Sequence, residues 1–572
     1  MEFTSKTSVP GPLPDDVTVP QFILDTHHLS RPERPAGVPW LMADKSGRTY
    51  DLEEIHKRTN GLAVSLRDEY LIGQNDVDYP ICVWAIHRLL GIVTPCNPSY
   101  TIAELVEAIK LSKSTLIITH FNNFEVASAA ARQTGIPAQR VLVLEDQDSP
   151  LTKSRQGNLQ TVEALIHRGS LSGEKVTGRK LEKGESKKLV AFYSSSSGTT
   201  GAPKMVMKSH YAFVANIIIT SAASIIGPTS PRFTPGDRCL AVLPFYHIYG
   251  LFCVLHINFF AAITVVVVPK FSFREMLHSI DRHKITTLIL VPPQLLLLVK
   301  EPIVKNYDLS HIKVILSGAA PLPAEVYDQL IKLVPHAHIC QGYGSTETAG
   351  GVSMPPLYPK HCRLNTSGVL APGISARVVK PDGSLAGYDE EGELQLRTPA
   401  VAMGYLNNEA ATRETFLEDS WLRTGDLVRI DRNEEIIVVD RIKVRGFQVA
   451  PAELEGCILD HPMVTDVCVV GVPHPYSGEV PLAFVAVSPQ GRKLPETVLK
   501  ASIRKVALFY FPLKPSLNMT VVLQHVEENK APFKHLHYVE IVDSIPKTPS
   551  GKLLRRDLRV KGRNLVTESA KL

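Results

Sequence analysis

The sequence predicts an α/β protein: a large N-terminal domain of parallel-sheet layers with a small β-barrel-like part, then a small α+β C-terminal domain. Three observations carry this. Apolar strand-like runs alternate with longer helical patterns, the texture turns to short strands and turns near residue 368, and a third region opens after "EEIIVVDR". Strands alternating with helices build parallel sheets covered by those helices. At 572 residues the chain also exceeds one typical core, so two or more domains are expected.

In the large domain the expected strands are "STLIITH", "RVLVLE", "RCLAVLPF", "AITVVVVP", "TTLILVPP" and "KVILSGAAPL". The stretch "LFCVLHINFFAAITVVVVP", residues 251–269, could mimic a membrane span, but it holds His256 and Asn258 and its second half is a β-branched run ending at Pro269. A buried helix followed by a buried strand is the expectation, not a span. From about 368, "GVLAPGISARVVKPDGSLAGYDEEGELQLRT" is rich in turn signals, including Pro381-Asp382-Gly383. Further on, "PAELEGCILDHP" reads as a helix, and "VTDVCVVGVP" and "PLAFVAVS" read as strands. The natural cut lies near Asp440, giving domains 1–440 and 441–572.

Composition narrows the function classes. Apolar residues at 44% and charged residues at 21% fit a soluble globular protein, and a net charge of +5 gives nucleic-acid binding no support. Eight cysteines without a CxxC pair point to a reduced intracellular compartment. The N-terminal "MEFTSKTSVPGPLPDD" has no apolar core and is not expected to act as a secretory signal.

The stretch "YSSSSGTTGAPK", residues 193–204, follows the apolar "LVAF". A glycine-rich turn after a strand lets backbone N–H groups converge on phosphate oxygens, hydroxyls add donors, and Lys204 adds a point charge. The spacing from Gly198 to Lys204 does not fit the Walker phosphate loop, and Met205 follows the lysine. A plain surface linker is the bland alternative; the short length and the preceding strand weigh against it.

Six further motifs occur in order: "LPFYHIYG" (243–250), "SGAAPL" (317–322), "QGYGSTE" (341–347), "LRTGD" (422–426), "VDRIKVRGFQVAPAELE" (439–455) and "PKTPSGKLLRRDL" (546–558). Together with the loop they resemble the adenylate-forming superfamily, most of all acyl-CoA ligases of the 4-coumarate–CoA ligase type, over roughly residues 40–560. The resemblance implies a two-step reaction. A carboxylate attacks the α-phosphate of ATP carried with Mg²⁺, giving an acyl-adenylate and pyrophosphate; the thiol of CoA then displaces AMP. Such a protein chiefly positions reactants and offsets charge on phosphorus.

Residue roles come from the same resemblance. Ser196, Ser197, Gly198, Thr199, Thr200 and Lys204 match the loop over the ATP phosphates; Gln341, Gly342 and Thr346 match residues around adenine and the α-phosphate, and Glu347 the Mg²⁺ carboxylate. Asp426 matches the ribose acceptor, Arg441 a nucleotide contact, and Lys552 the lysine of the adenylation step. His247 matches the residue beside the substrate carboxylate, while Tyr249, Cys253, Ala319, Gly344 and Met354 match the acyl pocket. These side chains are mostly small or apolar, so an aromatic or a medium-length acyl chain would fit. Lys270, Arg445 and Gly446 match positions associated with CoA. The small domain is expected to be mobile, rotating about a hinge at Lys443 to exchange Lys552 for the "VRGFQ" loop with Gln448.

Three departures stand out. The hinge reads "DRIKVRGFQ", four residues shorter than the family pattern, so Lys443 is either the hinge lysine or the loop lysine. Around residues 65–80 roughly ten residues of the family pattern are missing, which would remove most of one strand. Residues 506–524, "VALFYFPLKPSLNMTVVLQ", interrupt an amphipathic helix. This insertion begins with a residue whose codons start GT, ends with one that can be encoded CAG, and spans nineteen codons. It therefore reads as a retained intron, the alternative being a surface loop.

The chain ends in Ala570, Lys571 and Leu572, a close variant of the peroxisomal S-K-L address, so peroxisomal import through its receptor is expected. A luciferase-like oxygenase shares these features and would be told apart by light emission. A non-catalytic acyl or nucleotide binder is the third reading. An amino-acid-activating module is disfavoured, because no carrier-protein serine motif follows.

Overall fold

The computed structural model describes residues 1–67, 76–145, 159–196, 204–224, 232–320, 322, 324–356, 363, 366–440, 443–444, 447–448, 454–455, 458, 464–474, 478–487, 536–546 and 555–569. Its contacts cluster into two units. One holds Met1–Pro98, Leu105–Ser195 and Met205–Arg441; the other holds Ser99–Glu104, Ser196–Lys204 and Ile442–Leu572.

The first unit is built on a seven-stranded sheet in the order His338–Gln341, Val314–Ser317, Thr287–Leu290, Arg238–Ala241, Thr264–Val267, Leu41–Ala43 and Thr49–Tyr50. All neighbours pair in parallel except the last two, which form an antiparallel hairpin. Successive side chains of a strand point to opposite faces. Cys239, Ala241, Val265, Val267 and Ile289 accordingly enter one apolar core, and Leu240, Val266, Leu288 and Leu290 enter a second on the other face. That double burial is why these strands read as continuous apolar runs.

Residues 251–269 divide as expected. Tyr249–Ile257 is a π-helix continued by Asn258–Phe260, and Thr264–Val267 is a buried strand. Among the described residues no helix is long and apolar enough to cross a membrane. The two polar residues serve the backbone. His256 Nδ1 lies 2.7 Å from the Leu251 carbonyl, and Asn258 Nδ2 donates to the carbonyls of Cys253 and Val254.

The strand-rich stretch forms a five-stranded antiparallel sheet: Glu2–Thr4, Ser375–Val379, Gly392–Arg397, Leu422–Ile430 and Ile436–Asp440. A bridge between Val369 and Glu435 links it to a three-stranded sheet of Tyr343–Ser345, Gly350–Met354 and Val369–Leu370. Strands Ile117–His120 and Val141–Leu144 form a two-stranded parallel sheet. Residues 68–75 of the shortened region lie outside the described residues; no strand occurs among those described between helices Leu52–Leu66 and Tyr79–Arg88.

In the second unit, Val464–His474 pairs antiparallel with Gly478–Val487, which pairs in parallel with Tyr538–Val542. One face packs on Leu454, Ile458 and Leu536; the other packs on Leu558 of helix Arg555–Ser569. The rest of the expected helix at "PAELEGCILDHP" and the insertion at 506–524 lie outside the described residues.

Candidate active site

The motif "QGYGSTE" folds into a β-hairpin beyond the C-terminal end of an edge strand of the seven-stranded sheet. Gln341 ends that strand, Tyr343–Ser345 runs out, and Gly350–Met354 runs back. The hairpin can close this tightly because Gly344 has no side chain: a Cβ there would lie 2.2 Å from the Gly350 carbonyl oxygen. Around the tip, Ser345 and Thr348 exchange backbone-to-side-chain hydrogen bonds of 3.2 Å in both directions. Fully buried Asn216, from helix His210–Ala223, donates to the carbonyls of Thr348 at 2.6 Å and Gly351 at 3.1 Å. Thr346 and Glu347 are thereby left half-buried on a tip whose neighbours Ser345, Thr348 and Ala349 are buried.

Glu347 is braced by a second element. Tyr405 pairs with Val206 across the Gly404–Tyr405 and Lys204–Ser209 strands, and its hydroxyl donates to Glu347 Oε1 at 3.1 Å. The Ala402 N–H donates to the Glu347 carbonyl at 2.8 Å. Among the described residues no group of three or more His, Cys, Asp or Glu could hold a metal ion unaided. A single carboxylate that also needs substrate oxygens is the usual arrangement for a hard cation arriving with phosphates.

Lys208 lies two residues along the same strand from Val206. It is 0% exposed, and its Nζ has no hydrogen-bond partner among the described residues. Burial pushes its ammonium down to about 7, against the opposing pull of Glu347.

Asp426, 1% exposed, is tied to the same hairpin by the Tyr343 hydroxyl, which donates to Oδ2 at 2.6 Å. Its own N–H donates to Thr424 Oγ1. Gln341 spends its side-chain amide inside the protein: Oε1 accepts from the Leu322 N–H at 2.7 Å, and Nε2 donates to Ser367 Oγ at 3.3 Å. It thus latches the "SGAAPL" turn to the hairpin base. Gly342 keeps Met354 close, since a Cβ there would lie 3.2 Å from Met354 Sδ.

The "PFYHIYG" segment turns into the π-helix. His247 is half-buried, and its Nδ1 accepts from the Tyr249 N–H at 3.2 Å, which puts the proton of the neutral ring on Nε2. The Tyr249 hydroxyl donates to the Leu316 carbonyl at 3.2 Å, and its ring fills the space over Gly318, where a Cβ would lie 2.7 Å from Cζ. Ala319 follows with φ of 67° in the left-handed region, where a non-glycine residue is strained. Burial holds the Tyr249 phenol well above its ordinary value and pushes the Cys253 thiol up to about 12, so both are neutral. Tyr249, Cys253, Ala319 and Met354 all belong to or pack on one apolar cluster.

The remaining expected residues are dispersed or unseen. Lys270 is exposed in the bend after Thr264–Val267. Ser196 ends strand Val190–Ser196 and Lys204 opens strand Lys204–Ser209. In the second unit, Lys443 and Gln448 are cross-strand partners of a short hairpin, with Val444 opposite Phe447. Ser197, Gly198, Thr199, Thr200, Arg441, Arg445, Gly446, Lys552, Ala570, Lys571 and Leu572 lie outside the described residues. Sequence reasoning missed Tyr343, Tyr405, Asn216 and Lys208. Tyr343 sits inside a quoted motif, and Lys208 is a charge within the strand "KMVMKS", so both carried a visible signal.

Residues 27–406 match the model of the AMP-binding enzymes, and residues 453–552 match that of the AMP-binding enzyme C-terminal domain. The chain is 32% identical over 543 residues to 4-coumarate–CoA ligase 1 of Arabidopsis thaliana, covering 91% of this chain and 90% of that protein. It is 31% identical over 574 residues to peroxisomal OPC-8:0-CoA ligase 1 of Arabidopsis thaliana, covering 97% and 95%. Of solved structures, an amide bond synthetase from Marinactinospora thermotolerans superposes with a TM-score of 0.72 at 21% identity, covering 95% of this chain and 99% of that one, a likeness that speaks for the fold. The chain belongs to the AMP-binding enzyme family of adenylate-forming proteins. Within it, the protein is an ATP-dependent acid–thiol ligase close to the 4-coumarate–CoA ligase type.

Proposed function

We propose that this ligase adenylates an aromatic or medium-chain carboxylic acid with MgATP and passes the acyl group to CoA in the peroxisome. The observation that carries the reading is the braced hairpin tip, with Thr346 and Glu347 half-buried beside a Tyr343–Asp426 tie. On this reading Glu347 and the substrate phosphates share Mg²⁺, Thr346 donates to the α-phosphate, and Asp426 accepts from the ribose. His247, with its Nε2–H, orients the substrate carboxylate. Tyr249, Cys253, Ala319, Gly344 and Met354 bound an apolar acyl pocket.

The loop Ser196–Lys204 cradles the phosphates and Arg441 contacts the nucleotide. Lys552 serves adenylation; Lys443 and Gln448 serve thioester formation, with Lys270, Arg445 and Gly446 toward CoA. The assignment divides the chain into an AMP-binding domain, 1–440, and a lid domain, 441–572. The C-terminal Ala-Lys-Leu and the peroxisomal name of one relative support the compartment. A reporter carrying this tail should enter peroxisomes; one that stays cytosolic refutes the address.

A second reading, that the chain stops at the adenylate, draws on the shortened hinge with its single lysine. Acid-dependent ATP–pyrophosphate exchange, with CoA thioester read by mass spectrometry, separates the two. Exchange with thioester supports ligation; exchange alone supports the second reading; neither signal refutes both.

A further inference from the structure

An ammonium fully removed from water with no acceptor is a standing cost in a folded protein, and such groups are retained where their charge acts on something. Lys208 is that group here: 0% exposed, with Nζ unpartnered among the described residues. Two features direct its charge to one carboxylate. Strand alternation puts Lys208 on the face of Lys204–Ser209 that carries Val206, and Val206 lies opposite Tyr405, the residue whose hydroxyl holds Glu347 Oε1. Among the described residues, Glu347 is also a charged group whose field acts on Lys208. With Nζ buried, Lys208 acts on the site by its field and not by contact with a ligand.

We propose that Lys208 is a positioning residue whose charge counterbalances the Glu347 carboxylate, so that this carboxylate holds a divalent cation weakly by itself and takes it up together with ATP. The cation and the lysine compete electrostatically for one carboxylate. Removing the lysine charge leaves Glu347 more attractive to metal, while removing Glu347 takes away the competition. The proposal rests on the reading of Glu347 as the metal-side carboxylate.

The test uses the full chain at pH 6.5 and fixed ATP, and measures the free Mg²⁺ that half-saturates the ATP-dependent rise in Tm. Wild type is compared with K208M, E347Q and the double variant; K208L replaces K208M if that variant fails to fold. E347Q is expected to raise the Mg²⁺ requirement. K208M is expected to lower it about fivefold, the scale of one partly screened charge pair, with the shift absent in the E347Q background. Its Tm without nucleotide should equal or exceed that of wild type, because an unpaired buried charge is gone. An E347Q effect with no lowering in K208M, or an equal lowering in both backgrounds, overturns the role of Lys208. No effect of E347Q overturns the reading of Glu347, and the proposal with it.

Discussion

Gly344 has room for a hydrogen and nothing larger. A Cβ 2.2 Å from the Gly350 carbonyl oxygen would force the two hairpin strands apart and move Thr346 and Glu347 with them. Gly344→Ala is expected to destabilise the protein by about 1–3 kcal/mol, the usual cost of overpacking. It is also expected to slow adenylation about a hundredfold, since a displacement near 1 Å at a reacting site has that effect. Urea denaturation and pyrophosphate exchange check the two halves; a variant that exchanges at wild-type rate would contradict the placement of the tip. At this scale Glu347, Thr346 and Asp426 were legible because each sits inside a short motif. Their supports were not, because Asn216 and Tyr405 reach the tip from elements more than fifty residues away in sequence. Gln341 was legible as a motif residue, yet its amide is engaged by Leu322 and Ser367, a use visible only once the two turns meet.

The helix Tyr249–Ile257 shows what an element adds. Its apolar run predicted a buried helix, but not the wide π turns that His256 and Asn258 stabilise by bonding carbonyls four and five residues back. The Trp84 indole N–H donates to His256 Nε2, so the ring is neutral and Nδ1–H donates to Leu251. Burial lowers His256 to about 4 and His210, whose Nδ1 accepts from the Val19 N–H, to about 3, both from 6.5. These folded-state values lie below the unfolded one, so the unfolded chain binds protons first as the pH falls. The stability from neutral burial is whole above pH 6.5 and is lost on acidification through 6.5 toward 4, at roughly 1.4 kcal/mol per pH unit for each histidine. Chemical denaturation across pH 4–8 should show a plateau above 6.5 and a decline below it, shallower in His256→Phe. A profile flat to pH 4 would contradict the neutral buried rings.

For the whole molecule, the ordered motifs made the two-part architecture legible, since six short matches in sequence constrain one fold far more than any single match. The departures bear on the reaction. Lys443 pairs with Gln448, and Val444 with Phe447, across two short antiparallel strands. The insertion at 506–524 follows a run, "ETVLKASIRK", whose helical pattern it interrupts. If it is a retained intron, the dominant transcript lacks it, and the chain without it is expected to have a higher Tm and at least tenfold higher ligase activity. A dominant transcript containing the segment, or an inactive shortened chain, would contradict that expectation. The most direct measurement of the central claim is acid-dependent ATP–pyrophosphate exchange by this chain over a panel of aromatic and aliphatic acids, with thioester read by mass spectrometry in the presence of CoA. Exchange is expected for a subset of acids, with a CoA thioester of those same acids. Thioester absent for every acid that supports exchange would contradict this claim.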